Sequence, residues 1–152
     1  MNRDEHGHLH QAIEALGLAT TRSGPRHWTV GVPTRLRGEL ACGIEARERT
    51  LVARSFVMRA PDRAHDRVYR AALERNIDAR TWYFAVDRLG DLFLVAELAL
   101  DSVSEDALDG LLGALSVLVD ETFEGFARTG FDVPEGARFG PPPGAADGGG
   151  RV

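Results

Sequence analysis

The stretch TWYFAVDRLGDLFLVAELAL, residues 81–100, decides how the chain is read. Trp82, Phe84 and Val86 fall on one side of an extended chain, and after Gly90 so do Leu92, Leu94, Ala96, Leu98 and Leu100. A period of two predicts strands, here over 81–88 and 91–100, and the tight link at Leu89-Gly90 predicts a hairpin. The same signal recurs upstream. Trp28, Val30 and Val32 alternate over 27–32, and Leu40, Cys42, Ile44 and Ala46 alternate over 38–47. Residues 50–59 follow after a short link at Glu48-Arg49, so these three strands are expected to form an antiparallel meander.

Helical signals bracket the strands. Leu9, Ile13 and Leu16 make one apolar stripe over 5–16, and Gly17 ends it. The polar stretch Thr20 to Pro25 is expected to be turn. Pro61 suits the first turn of a helix over 61–77. Ser102 or Ser104 is placed to cap a last helix, with Glu105 and Asp106 in its first turn, that runs to about Arg128 and stops at Gly130. The expected fold is α+β in the order α-β-β-β-α-β-β-α, a single twisted antiparallel five-stranded sheet with helices packed mainly on one face. Residues 1–25 are expected to be an N-terminal helix and linker, 26–131 the domain proper, and 132–152 a disordered Gly/Pro-rich tail.

Composition narrows the function. The 152 residues are 43% hydrophobic and 27% charged with a net charge of −5, an ordinary soluble composition. No apolar run reaches the length of a membrane helix, and the polar start Met1-Asn2-Arg3-Asp4 lacks a signal peptide's apolar run, so a cytoplasmic protein is expected. Cys42 is the one cysteine, which excludes an internal disulfide and a multi-cysteine metal site. All 18 basic residues are Arg, and charge is unevenly spread: residues 34–80 carry a net +4 and residues 81–152 a net −9. Bipolar charge suits self-association or a protein partner better than nucleic acid.

The faces of the elements point the same way. In the last helix Leu108, Leu111, Leu112, Leu115, Leu118, Val119, Phe123 and Phe126 span an arc wide enough to face a sheet, while Asp109, Asp120, Glu121, Glu124 and Arg128 lie opposite. Gly110, Gly113 and Val117 interrupt that polar side and mark a notch or nothing at all. Over 61–77 the apolar residues cover more than half the circumference, with Tyr69, Leu73 and Ile77 as one sector. Strand 50–59 puts Val52, Phe56 and Met58 on one face and Leu51, Ala53 and Val57 on the other. The hairpin likewise carries Tyr83 and Ala85, Phe93 and Val95, on its second face. An antiparallel sheet with one solvated face alternates more cleanly than this, so a partner, most simply a second copy, is expected to cover part of it. The candidate partner-binding residues are Phe56, Met58, Tyr69, Leu73, Tyr83 and Phe93.

Catalytic and ligand readings are weaker. His6, His8 and His10 alternate, and His6 and His10 would meet across one helical turn, but only Asp4 and Glu5 flank them as further ligands. A frayed terminus is the simpler reading. Cys42 sits on an apolar strand face, where a thiol is structural. Asp62, His65 and Asp66 read as exposed helix charges before they read as an acid–base cluster. No Gly-rich turn joins a strand to a helix as a phosphate cradle does. No enzyme, metal or cofactor is expected.

From Ser55 to Phe131 the chain resembles the YbjN family of small bacterial proteins, its actinobacterial branch in particular. The resemblance is carried by Ser55 to Pro61, Val68-Tyr69-Arg70, Glu74-Arg75-Asn76, Phe84 to Asp87, Gly90 to Val95 and Leu108 to Gly113, and more loosely by Trp28 to Pro33. It departs at Thr81-Trp82-Tyr83 and at Glu97 to Leu100. The resemblance implies a fold similar to that of type III secretion chaperones, often dimeric and without catalysis, and a role in sensory transduction or stress regulation. The reading that follows is a homodimeric, non-enzymatic protein-binding module, chaperone-like or regulatory, with a protein client not identified by the sequence. Its alternatives are a nucleic-acid-associated regulator using Arg54, Arg59, Arg63, Arg67 and Arg70, and a small-molecule or metal binder using the histidines.

Overall fold

The computed structural model describes residues 6–140. In chain order these form α1 (Gly7–Ala15), β1 (Thr20–Gly24), β2 (His27–Thr34), β3 (Gly38–Ala46), β4 (Thr50–Met58), α2 (His65–Asn76), β5 (Trp82–Val86), β6 (Leu92–Ala99) and α3 (Glu105–Gly130). The strands make one antiparallel sheet in the order β1-β2-β3-β4-β6-β5. Fold class, antiparallel sheet and one-sided helices are as expected from the sequence; the sheet of the described residues has six strands, not five. The extra strand is the polar stretch read as turn. Thr20, Thr21 and Arg22 pair with Val30, Thr29 and Trp28, so the boundary placed between residues 25 and 26 falls inside a hairpin.

Two rows of inward side chains explain the architecture. Trp28, Ile44, Ala53, Ala96 and Trp82 follow one another across β2, β3, β4, β6 and β5. Val30, Cys42, Ser55, Leu94 and Phe84 make the next row. All ten are buried. The small Ala53 and Ala96 stand mid-sheet between the two tryptophans, whose indoles each find an acceptor in the helical layer. Trp28 Nε1 donates to His10 Nδ1 of α1 (3.0 Å), and Trp82 Nε1 donates to the Leu111 carbonyl of α3 (2.8 Å). A buried indole N–H without an acceptor would be destabilising, so these bonds also fix where the helices sit.

Helix α3 begins where Ser104 Oγ accepts from Ala107 N, and Glu105 and Asp106 complement its dipole. Its end is built by another segment. The Gly130 carbonyl accepts from Asp62 N (2.8 Å) and Arg63 N (3.1 Å), and a Cβ on Gly130 would come 2.8 Å from Pro61 Cβ. Pro61 therefore packs on the end of α3 and does not open α2 as expected. Helix α2 starts four residues later, after Ala64 in the left-handed conformation (φ 52°, ψ 38°). Asp120, expected to face solvent, accepts from Arg35 N and Leu36 N and ties α3 to the β2–β3 turn.

A bulge in β4 corrects one site residue. Phe56 pairs with Phe93 and Met58 with Leu92, leaving Val57 as the extra residue. The shift turns both Val57 and Met58 inward, at 1% and 0% exposure. Met58 is thus a core residue, not a member of the outer face. Of the expected tail, residues 132–140 are described, with Val133 and Phe139 packed against the core; residues 141–152 lie outside the described residues.

Two substitutions at the α3–α2 junction are expected to act in opposite directions. Gly130→Ala should lose about 1–3 kcal/mol through overpacking on Pro61. Ala64→Gly should gain about 0.5–1 kcal/mol, the relief of left-handed strain exceeding the added freedom of the unfolded chain. Urea unfolding midpoints at unchanged slope are the check.

Candidate protein-docking surface

The sheet's second face is open among the described residues, because the helices pack on the first. Thr21, Thr29, Gly43, Arg54, Val95 and Tyr83 cross all strands in one outward row. Beside it, Phe93 pairs with Phe56 on one side and Ala85 on the other. The rings of Phe56 and Phe93 meet edge to face at 5.5 Å, and the Arg54 guanidinium lies 4.0 Å from the Phe93 centroid. Such a cation over an aromatic face keeps its charge at the surface while covering apolar area. Phe56 and Phe93 are half-buried and Tyr83 is exposed.

The other candidates lie on the helical side of edge strand β5. Tyr69 donates its hydroxyl to the Gly90 carbonyl (2.8 Å) and so is held against the β5–β6 turn. Leu73 and Ile77 continue its stripe along α2 and are 63% and 81% exposed. Val86 and Leu89, at the hairpin end, are exposed as well. Five of the six expected residues therefore occupy two surfaces separated by β5: Phe56, Tyr83 and Phe93 outside the sheet, Tyr69 and Leu73 on α2. Met58 joins neither.

The edge between them is guarded. Asn76 Oδ1 accepts from Phe84 N (2.8 Å), and Asn76 Nδ2 donates to the Phe84 carbonyl (3.0 Å). The amide imitates a neighbouring strand and occupies the middle of β5, where another chain would otherwise pair. Periodicity gave no sign of this, since Asn76 reads as an ordinary last-turn residue. Sequence reasoning also missed a groove of about 780 Å³ between α2 and α3. Val68, Ala71, Leu118 and Phe126 line it with Trp82 and Phe84, and the Arg75–Glu121 ion pair (2.8 Å) stands at its rim. Gly125 belongs to this groove, and a Cβ on it, Gly110 or Gly113 would meet nothing within 4 Å.

The alternative ligand residues are engaged otherwise. Arg59 pairs with Asp62 at 2.8 Å, which holds the Asp62 carboxyl below its usual range. Arg63 donates to the Phe131 carbonyl, Arg70 pairs with Glu74, and Arg54 lies on a different face from both. His10 is spent on Trp28, while His8 is exposed. No three His, Cys, Asp or Glu side chains converge as a metal site among the described residues. No helix of the described residues is long and apolar enough to cross a membrane.

Residues 7–128 match the YbjN family, described as "Putative bacterial sensory transduction regulator". The chain belongs to the YbjN family. Uncharacterised proteins of Mycobacterium tuberculosis and Mycobacterium bovis are 34% identical over 84 residues, which is 55% of this chain and 46% of theirs. The chain thus spans about half the length of these curated relatives. Among solved structures, Escherichia coli YbjN superposes with a TM-score of 0.58 at 15% identity, over 78% of this chain and 90% of that one. The ExoU–SpcU complex of the Pseudomonas aeruginosa type III secretion system gives 0.53 at 20% identity, over 78% and 92%. The Yersinia pestis secretion chaperone SycH gives 0.51 at 18%, over 73% and 92%. At these identities the likeness is one of fold. The YbjN description names a regulator, and the fold is one that secretion chaperones share.

Asn76→Ala should cost about 1–3 kcal/mol, two hydrogen bonds to an edge strand being lost, and should expose β5 to pairing with other chains. Thermal unfolding and concentration-dependent light scattering read the two effects. Cys42 gives a pH test. Burial pushes its thiol from 9.0 up to about 12, so ionisation favours the unfolded chain. Its contribution is complete below pH 9 and is lost towards pH 12, by about 1.4 kcal/mol per unit. The stability advantage of the native chain over Cys42→Ala should therefore shrink across that range, with no difference in slope between pH 6 and 8.

Proposed function

We propose that the chain is a homodimeric protein-binding module, regulatory or chaperone-like, that joins its copy through the α2 stripe and holds a client on the outer sheet face. The observation that carries this reading is the sheet with helices on one face and paired aromatics on the other. Leu73 and Ile77 support the first half: they are four residues apart on one helix face, and both are exposed among the described residues. A stripe of this kind is self-complementary about a two-fold axis. The guarded middle of β5 favours helix-to-helix association over strand addition at that edge. Phe56, Phe93 and Tyr83 support the second half, since aromatic anchors ringed by polar groups suit a protein partner. The secretion-chaperone fold is compatible with both, and the mycobacterial relatives' greater length leaves room for activities beyond this chain.

Sedimentation equilibrium in the micromolar range should give twice the chain mass. Leu73→Asp with Ile77→Asp should weaken association by about a hundredfold or more, each buried aliphatic side chain contributing roughly 1.5–3 kcal/mol. Phe93→Asp should leave the dimer intact. A monomer throughout the range, or a dimer indifferent to the α2 pair but broken by Phe93→Asp, would overturn the assignment of surfaces.

A further inference from the structure

Arg37, in the β2–β3 turn, is the anomaly of this fold. It is 1% exposed. Its Nη2 reaches one acceptor, the Val57 carbonyl, at 3.4 Å, and its Nε has no partner. No carboxylate pairs with it among the described residues. What it has is an aromatic face: the guanidinium carbon lies 4.1 Å from the Phe123 centroid. Burial pulls the group down to about 10, so at neutral pH it remains a cation. Buried cations are ordinarily paired, and a planar fork with a donor left over matches a carboxylate.

The segment beyond α3 meets the same ring that Arg37 stacks on. Phe139 packs edge to face on the same Phe123 ring at 5.0 Å, with the Arg128 guanidinium 5.9 Å from its own ring. Val133 packs against the core as well. Between these contacts the segment has little to hold it. It contains no helix or strand, and its backbone makes one internal hydrogen bond, Ala137 N to the Pro134 carbonyl. Its apolar anchors are few, and Asp132, Glu135 and Arg138 are exposed. A segment so held opens at far smaller cost than the sheet or α3.

We infer that residues 132–140 are a latch over Arg37, and that the place beneath it binds an acidic, aromatic-bearing peptide segment of a partner when the latch lifts. The ligand's carboxylate fills the guanidinium fork, and its ring replaces Phe139 on Phe123. This site is separate from the outer sheet face and does not depend on the dimer.

The test uses the full chain. Phenylglyoxal modification, mapped by peptide mass, should leave Arg37 protected in the native chain while the exposed Arg35 reacts. In Phe139→Ala, Arg37 should react about tenfold faster or more, at unchanged far-UV spectrum and cooperative unfolding. The fluorescent peptide acetyl-Glu-Phe-Glu-amide should then bind Phe139→Ala more tightly than the native chain, and Arg37→Gln added to that variant should abolish the gain. Arg37 equally protected in both chains would overturn the latch, and peptide binding indifferent to Arg37→Gln would overturn the site. Should Phe139→Ala unfold, hydrogen exchange of the native chain decides: residues 133–140 exchanging well before α3 support the latch, and exchange together with α3 overturns it.

Discussion

One sheet must be covered on one side by helices, and almost everything else in this protein follows from how that is done. A helix of 26 residues is about 39 Å long, enough to cross six strands spaced about 4.8 Å apart, but only about 10 Å wide. Helix α3 can therefore cover only a diagonal band of the inner face. The residues mid-sheet are small where they stand between larger neighbours, Ala53 and Ala96 in one row and Ser55 in the next. The ends of the first row carry the two tryptophans, which fill the flanks that α3 leaves open and bond to α1 and α3. Ser55 is a polar residue in this core, and it is tolerated because its hydroxyl donates to the Ala41 carbonyl at 2.9 Å.

The same constraint shapes the perimeter. With α3 committed to the sheet, its end and side are fastened by backbone contacts: Gly130 by Asp62 and Arg63, Asp120 by the β2–β3 turn, Ser116 by the Pro33 carbonyl at the end of β2. Helix α2 is left to pack on β5 and the side of α3, and Leu73 and Ile77 stay exposed. Asn76 then serves two ends at once. It anchors α2 to β5 and occupies the backbone N–H and carbonyl of Phe84 on that edge. Leu73, Ile77, Tyr83, Val86 and Leu89 thus gather around an edge whose middle is closed.

Much of this was legible in the sequence because alternation and helical periodicity record burial. The alternation in β2, β3 and the β5–β6 hairpin, the α3 arc and the Leu89-Gly90 link all follow from spacing; the register that joins the strands into rows does not. What escaped is what periodicity does not encode. Strand β1 is an edge strand of Thr, Arg and Ser whose side chains bury little, so its composition is that of a turn; only pairing with β2 makes it a strand. Met58 was placed on the wrong face because a bulge changes the phase of alternation without leaving a signature in residue type. Pro61 carried a genuine helix-start signal, yet the tertiary contact with Gly130 took precedence. Of the candidate site, the aromatic members were readable as surplus apolar positions. The Asn76 clamp, the α2–α3 groove and the burial of Arg37 were not, since each depends on segments brought together from distant parts of the chain.

The distribution of constraint also explains why the fold is recognisable in solved structures at 15–20% identity. Inner rows need only side chains of suitable volume and a satisfied polar group here and there, which many sequences provide. The outer face is under no such demand from its own chain. Here its row runs through Thr21, Thr29 and Gly43 before it reaches Arg54, Val95 and Tyr83, so its floor is low on one side and aromatic on the other. A partner lying along that step would meet backbone at Gly43 and rings at Phe56 and Phe93, with Glu45 and Glu97 on the flanks in the row that also holds Val52. Shape and charge at that step belong to this sequence and not to the fold. What this surface could bind is therefore to be sought in the chemistry of these few outward residues, because a shared architecture does not by itself carry function.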